Sequence, residues 1–289
     1  MRTFETLREQ HPCMSGRAGE TGRIHLPVSP GCNIHCRYCK RTFTLSEERP
    51  GTCQRVLPVE EVSGIVERAL ALCPQITTVG IAGPGESLAS PHALEAFRLL
   101  DRIHPELIKC LSTNGLMLPE TAEELAAVHL DALTVTVNAV DPAIEAKING
   151  GIFYEGKHVT GEEAAGILIC NQLKGIRMAA ELGITVKINT VLIPGINDGH
   201  VAEVAARTAE AGASISNIIP LIPQAGMASI PAPGCHEIEA ARAAAGKSLA
   251  VFRHCQHCRA DAVGVLGKED FGRLLYGEQG TWEETFSHG

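Results

Sequence analysis

Apolar positions along the chain fall into short blocks with two alternating periods. Six runs read as strands: residues 24–29 (IHLPVS), 76–83 (ITTVGIAG), 107–113 (LIKCLST), 132–140 (ALTVTVNAV), 184–193 (ITVKINTVLI) and 215–222 (ISNIIPLI). Between them the apolar spacing is helical. Residues 59–72 carry Val62, Ile65, Val66 and Leu70 along one stripe, and residues 91–103 carry Leu94, Phe97 and Leu100. Further helices are expected over 121–128, 161–182 and 200–211. A strand–helix–strand alternation of this kind demands parallel strands joined by crossover helices.

Two parallel architectures compete, an open doubly wound sheet and a barrel. No GxGxxG follows the first strand, so a dinucleotide fold has no positive support. Six units are two short of a closed eight-fold barrel. The expected fold is therefore α/β, a partial (β/α)6 TIM-like barrel over residues 24–232. Segments 1–23 and 233–289 fall outside the alternation. Each carries cysteines, and each is expected to be an extension folded over the barrel mouth.

Charge and composition narrow the function classes. Acidic residues outnumber basic ones, 33 to 25, for a net charge of -8. That balance argues against a nucleic-acid grip, which needs a basic face. No apolar run approaches the roughly 18 residues of a membrane span. The start, MRTFETLREQHPC, lacks the apolar core of a signal peptide. The expectation is a cytoplasmic protein with no membrane partner and reduced thiols. There, eleven cysteines make a poor disulfide framework and a good supply of metal ligands.

The sharpest chemical signal is Cys32, Cys36 and Cys39, in the loop GCNIHCRYCK after the first strand. Three thiolates at this spacing can bind three corners of a cubane and leave the fourth iron open. An electron-carrying cluster takes four cysteines instead, and structural zinc also wants four ligands. A zinc site completed by His35, or plain buried thiols, are the competing readings. The loop, with an aromatic before its third cysteine, resembles the radical SAM superfamily. The resemblance implies a 4Fe-4S cluster whose open iron binds S-adenosylmethionine (SAM), and reductive cleavage to a 5′-deoxyadenosyl radical. It also implies a partial (β/α)6 barrel. GPGES (83–87) looks like the family's glycine–glutamate segment, which makes Gly85 and Glu86 candidate SAM contacts, glycine letting the backbone approach the ligand. Thr134, Thr136 and Asn138 alternate on the fourth strand and so share a face. Buried polar groups need partners, which a ribose, a carboxylate or an internal hydrogen-bond network can supply. Lys187 and Asn189 alternate on the fifth strand, and Ile193 is a candidate to pack on the adenine.

Other ligand-type residues are left over. Cys255 and Cys258 form Cys-x2-Cys, and Cys13 stands in HPC near the other terminus. Taken alone, the pair fits zinc or a redox function as well. His25 lies in the first strand and Cys110 in the third, where a core role is the ordinary reading. Cys53 follows RPG in a loop. Cys73, Cys170 and Cys235 read as structural or incidental.

A wider set of segments carries a closer resemblance. In order they are HPC (11–13), CNIHCRYC (32–39), RPG (49–51), AGPGE (82–86), CLSTNGL (110–116), TVTVNAVDP (134–142), YEGK (154–157), TGEEAAGIL (160–168), KINTVLIPGIND (187–198), PLI (220–222) and HCQHCRADAVGVLG (254–267). They resemble the NifB family, the radical SAM proteins of nitrogenase cofactor assembly, in a short form without a fused NifX-like domain. The resemblance implies two auxiliary 4Fe-4S clusters fused around a carbon from a SAM methyl, with one sulfur added, to give an 8Fe-9S-carbide precursor. It assigns Cys32, Cys36 and Cys39 to the SAM cluster, Cys13, Cys255 and Cys258 to one auxiliary cluster, and His25 and Cys110 to the other. It implies as partners an iron–sulfur cluster donor, an electron donor, and cofactor carriers or nitrogenase maturation proteins. Arg253 and Arg259, flanking the cysteine pair, are expected to offset sulfide charge or to form surface salt bridges. One departure stands out. The family usually has a cysteine before RPG, and here none lies between Cys39 and Cys53. The third ligand beside His25 and Cys110 is then Cys53, a water, a substrate sulfide, or Glu47 or Glu48. The departure keeps open a radical SAM enzyme acting on another substrate, with a non-catalytic iron–sulfur carrier as a further alternative.

Overall fold

The structure, a computed structural model, describes residues 1–14 and 19–277. Six parallel strands in sequence order form its centre: β1 (Gly22–His25), β2 (Ile76–Ile81), β3 (Ile108–Thr113), β4 (Ala132–Thr136), β5 (Thr185–Leu192) and β6 (Ile215–Pro220). The C-terminal segment adds β7 (Ala250–Phe252), parallel beside β6, and β8 (Val263–Val265), antiparallel beside β1. The sheet thus runs β7-β6-β5-β4-β3-β2-β1-β8 and stays open between its two edges. The expected partial barrel is present, and residues beyond 232 extend the same sheet at both edges.

Crossover helices cover the outer face. Before β1 lies α1 (Phe4–Gln10). The crossovers are α2 (Val62–Leu72), α3 (His92–Ile103), α4 (Leu118–Ala127), α5 (Pro142–Ile148), α6 (Gly161–Glu181), α7 (Val201–Glu210) and α8 (Cys235–Ala245), and α9 (Gly272–Tyr276) ends the described chain. The apolar stripe of α3 is buried as its spacing predicts: Leu94, Phe97 and Leu100 enter one core with Val66 and Val79. Each such side chain contributes roughly 1.5–3 kcal/mol by leaving water. Among the described residues no helix is long and apolar enough to cross a membrane.

Two strands end four residues earlier than the apolar pattern suggests. β1 stops at His25, two residues before Pro27, which has no N–H for a ladder. β4 stops at Thr136, and the Asn138 side chain takes over the pairing, its Oδ1 accepting from Val191 N at 3.0 Å.

The N-terminal segment does not cover the ends of the strands from which the loops leave. Leu7 of α1 and Met14 pack against Ile108, Ala132 and Ile215, the first residues of β3, β4 and β6. This plugs the barrel from below and brings residues 11–13 inside it.

Candidate functional site

Alternation along the parallel strands builds the interior wall. Arg23 and His25, Thr78 and Gly80, Cys110 and Ser112, Thr134 and Thr136, Lys187 and Asn189, and Asn217 and Ile219 all line one cavity of about 320 Å3. Register stacks them in layers: His25 faces Gly80 and Gly80 faces Cys110, while Thr134 pairs with both Ser112 and Lys187. Gly80 was not singled out from the sequence, yet it joins the two ligand candidates. A Cβ there would lie 3.0 Å from His25 Cδ2, so only glycine leaves the imidazole room to lie across β2 toward Cys110.

The same cavity receives Cys13 from below and Cys255 and Cys258 from the segment between β7 and β8. Cys39 joins it from above. Cys32, Cys36 and Cys39 together line a smaller adjoining cavity of about 150 Å3, with Gly85, Glu86, Thr136 and Asn138. Cys39, Gly85 and Thr136 border both. Gly85 is required where it stands: a Cβ would lie 2.0 Å from Gly31 O, because its N–H bonds Ser29 O at 2.7 Å. Glu86 is buried and braces this loop, accepting from Thr113 Oγ1, from Asn114 N at 2.7 Å and from Leu88 N at 3.0 Å. Asn138 donates to Tyr38 OH at 3.1 Å, and Asn189 Oδ1 accepts from Asn217 at 3.0 Å.

Among the described residues, four cations line the larger cavity, Arg23, Lys40, Arg41 and Lys187, and no carboxylate does. In a chain of net charge -8 this is a local inversion suited to an anion. Three of these cations touch the ligand candidates. Arg23 Nη2 donates to Cys258 Sγ at 3.3 Å, Arg41 Nη2 donates to Cys32 Sγ at 3.1 Å, and Lys187 Nζ donates to Cys13 O at 3.4 Å. Arg23 and Arg41 carried no signal in the sequence, because an arginine on a strand end or in a loop looks solvated until the fold buries it. Of the two roles expected for Arg253 and Arg259, offsetting sulfide charge or salt bridging, the structure shows salt bridging. Arg253 pairs with Glu239 at 2.6 Å on the surface, and Arg259 binds Asp261 at 2.8 Å and the carbonyls of Thr44 and Glu47.

Burial raises the Cys13, Cys32 and Cys36 thiols above their ordinary range, and pushes Cys110 up to about 12. The unloaded thiols are thus neutral, and metal binding must expel their protons. Burial and then Arg23 lower His25 to about 4. Its Nδ1 lies 2.9 Å from Arg259 O; a carbonyl only accepts, so Nδ1 holds the proton and Nε2 keeps its lone pair. That tautomer leaves Nε2 of His25 free to bind a metal.

Four sequence candidates, Ile193, Cys53, Glu47 and Glu48, are absent from these walls. Ile193 lies one residue past β5, fully buried in a cluster with Ile148, Leu221 and Met227, and Val191 lines the cavity instead. Cys53 pairs with Phe43 across a short two-strand ladder and packs with Phe43 and Ala260. Burial raises its thiol strongly, and Asp261 adds to the effect. Glu47 and Glu48 are held by Arg49 and Arg273. None of the three lines the cavity that His25 and Cys110 share. Among the described residues no three His, Cys, Asp or Glu side chains converge closely enough for a single metal ion. That gives the zinc reading of the cysteine loop no support; a cubane spreads its ligands more widely than one ion does.

Comparisons with known proteins agree with this geometry. A family model described as the radical SAM superfamily matches residues 26–207. The FeMo cofactor biosynthesis protein NifB of Methanocaldococcus infernus is 42% identical over 96% of this chain and 93% of its own length. The protein of the same name from Azotobacter vinelandii is 40% identical over 90% of this chain, which spans 54% of that longer relative. Among solved structures, Streptococcus suis SuiB bound to precursor peptide SuiA superposes with a TM-score of 0.57 at 14% identity, over 88% of this chain and 52% of that one. A radical SAM methyltransferase from Sphaerobacter thermophilus gives 0.54 at 19%, over 80% and 64%. At such identities the two structures speak for the fold alone.

Proposed function

The chain belongs to the NifB family of the radical SAM superfamily, and from that premise we propose that it fuses two 4Fe-4S clusters, received as substrates, into an 8Fe-9S-carbide precursor of the nitrogenase cofactor. The carbon comes from a SAM methyl and one sulfur is added from outside. The observation that carries this reading is the single cation-lined cavity. It is bordered at once by Cys13, Cys255 and Cys258, by His25 and Cys110, and by Cys39 of the three-cysteine loop.

The resident 4Fe-4S cluster fits Cys32, Cys36 and Cys39, which share one small cavity with Arg41 against a sulfur. When bound there it supplies the electron that cleaves the SAM sulfonium. Arg41 stabilises the thiolates that must form, and its Nε anchors it on Pro84 O at 2.8 Å. Gly85 and Thr136, on the border of both cavities, are the contacts between SAM and the substrates. Gly85, Glu86, Thr136 and Asn138 line the smaller cavity on the SAM side, while Asn189 and Val191, the latter in place of Ile193, line the larger one. His25 presents Nε2, and Cys110, Cys13, Cys255 and Cys258 present sulfur, to the two substrate clusters. Few protein ligands per cluster suit an enzyme whose product must leave. A cluster donor, an electron donor and a cofactor carrier are the partners this chemistry requires.

The absent cysteine before RPG, together with the turning away of Cys53, favours one second reading: a radical SAM enzyme with auxiliary clusters and a different substrate. The two separate experimentally. Anaerobically reconstituted protein given SAM and dithionite should form S-adenosylhomocysteine and 5′-deoxyadenosine together, and its released product should activate cofactor-deficient nitrogenase. 5′-Deoxyadenosine without S-adenosylhomocysteine, and no activation, would leave the second reading. An iron content near four per chain would remove the substrate clusters altogether.

A further inference from the structure

We propose that His11 is a hydrogen-bond donor to the iron–sulfur species in the large cavity, giving its Nε2–H to a sulfur, and is not an iron ligand. The inference rests on the proposed identity of that cavity as an iron–sulfur site.

His11 caps the C-terminus of α1 through its own N–H on Leu7 O at 2.9 Å. Its side chain is 1% exposed and lines the cavity with Cys13 and His25. Cys13 N donates to its Nδ1 at 3.0 Å. A nitrogen that accepts a hydrogen bond carries no proton, so in the neutral ring the proton sits on Nε2. That Nε2 is buried and has no hydrogen-bond partner among the described residues. Buried donors in folded proteins are nearly always matched, and an unmatched one beside a cavity points to an acceptor that arrives with the ligand.

His11 and His25, facing the same cavity, are thus set in opposite tautomers. His25 gives its Nδ1 proton to Arg259 O and keeps the Nε2 lone pair free. His11 uses its Nδ1 lone pair on Cys13 N and keeps Nε2–H free. For His11 to ligate iron, Nδ1 would need a proton and the Cys13 N–H would lose its acceptor. The surrounding wall supplies donors, with the cations Arg23 and Lys187 and no carboxylate among the described lining residues. Its complement is an electron-rich acceptor, which a cluster sulfide is.

Two substitutions separate the ring's two edges. His11→Asn keeps an oxygen that can accept from Cys13 N, two residues on, and loses the distal donor. His11→Gln places an amide N–H near the Nε2 position and loses the acceptor. The readout is the midpoint potential of the signal that Cys255→Ala removes, measured on anaerobically reconstituted full-length protein. The expected result is equal iron in all three proteins. The Asn variant should shift to more negative potential, by about tenfold in the reduction equilibrium or about 59 mV for one electron, and Gln should stay near the parent. Exchange into D2O should remove a proton coupling in the parent and in Gln. A parent-like Asn with a shifted Gln would reduce His11 to a backbone cap and overturn the inference. So would loss of the signal in both variants, since a donor alone does not hold a cluster, or a 15N-histidine coupling to iron that survives His25→Ala. If the parent protein itself lacks the signal, the reading of the cavity fails first, and this inference with it.

Discussion

Glu145, on the wall of the smaller cavity, gives burial a measurable consequence. It lies on α5, is 3% exposed, and its Oε2 has no hydrogen-bond partner among the described residues. Burial raises its carboxyl from 4.5 to about 8, against the pull of a hydrogen bond from the Ala139 backbone. Between those values the folded chain keeps a proton that the unfolded chain has released. The folded state then binds more protons, so stability falls as pH rises. The contribution is fully present below 4.5 and is lost as pH climbs through about 8. Each pH unit inside that window removes about 1.4 kcal/mol, so about 3 kcal/mol disappears between roughly pH 5.5 and 7.5. Glu145→Gln imitates the protonated acid and has nothing to titrate. The stability of the variant minus that of the parent should therefore rise by about 3 kcal/mol across that range. The assay is denaturant unfolding of both full-length proteins, iron-free because bound clusters break two-state behaviour. The difference cancels every other titration. A difference that stays constant with pH would refute the reasoning, and would mean that the carboxylate finds a partner or water.

Three further outcomes follow from the same packing. Cys53→Ser should leave iron content and the paramagnetic spectra unchanged while destabilising the fold by about 1–3 kcal/mol, because a hydroxyl enters an apolar cluster; selective loss of one auxiliary signal would return Cys53 to the ligands. Arg23→Met should weaken retention of the Cys258-dependent cluster, by removing the cation 3.3 Å from that sulfur. Iron retained during gel filtration and the potential of that cluster report it, and an unchanged potential would count against charge compensation. Gly85→Ala should abolish SAM binding, measured by equilibrium dialysis, because the added carbon meets Gly31 O at 2.0 Å; parent-like binding would show that the loop can shift.

What the sequence determined by itself is what depends on local spacing. Periods of two and 3.6 mark strands and helices whatever lies beyond them, so the six parallel strands and the partial barrel were legible. So were the three-cysteine loop and the pairing of Cys255 with Cys258, because side chains a few residues apart stay together in any fold. Depth and company were not. Ile193 continues the apolar run of β5, but the strand ends at Leu192 and the next side chain turns into a neighbouring core. Cys53 looked free to reach the cavity until Thr52–Cys53 paired with Thr42–Phe43, a ladder that Arg49 binds through Thr42 Oγ1. Gly80 matters only because register sets it between His25 and Cys110. Arg23 and Arg41 look like ordinary solvated charges along the chain, and their convergence with Lys187 on one wall, with no carboxylate among the described lining residues, comes from strands and loops that only barrel curvature brings together. His11 owes its place to α1, whose Leu7 docks on the first residues of three strands far away in sequence. A period reports which face a side chain takes; the partner across the cavity is set by long-range packing, and the charge and tautomer of each group follow from that partner.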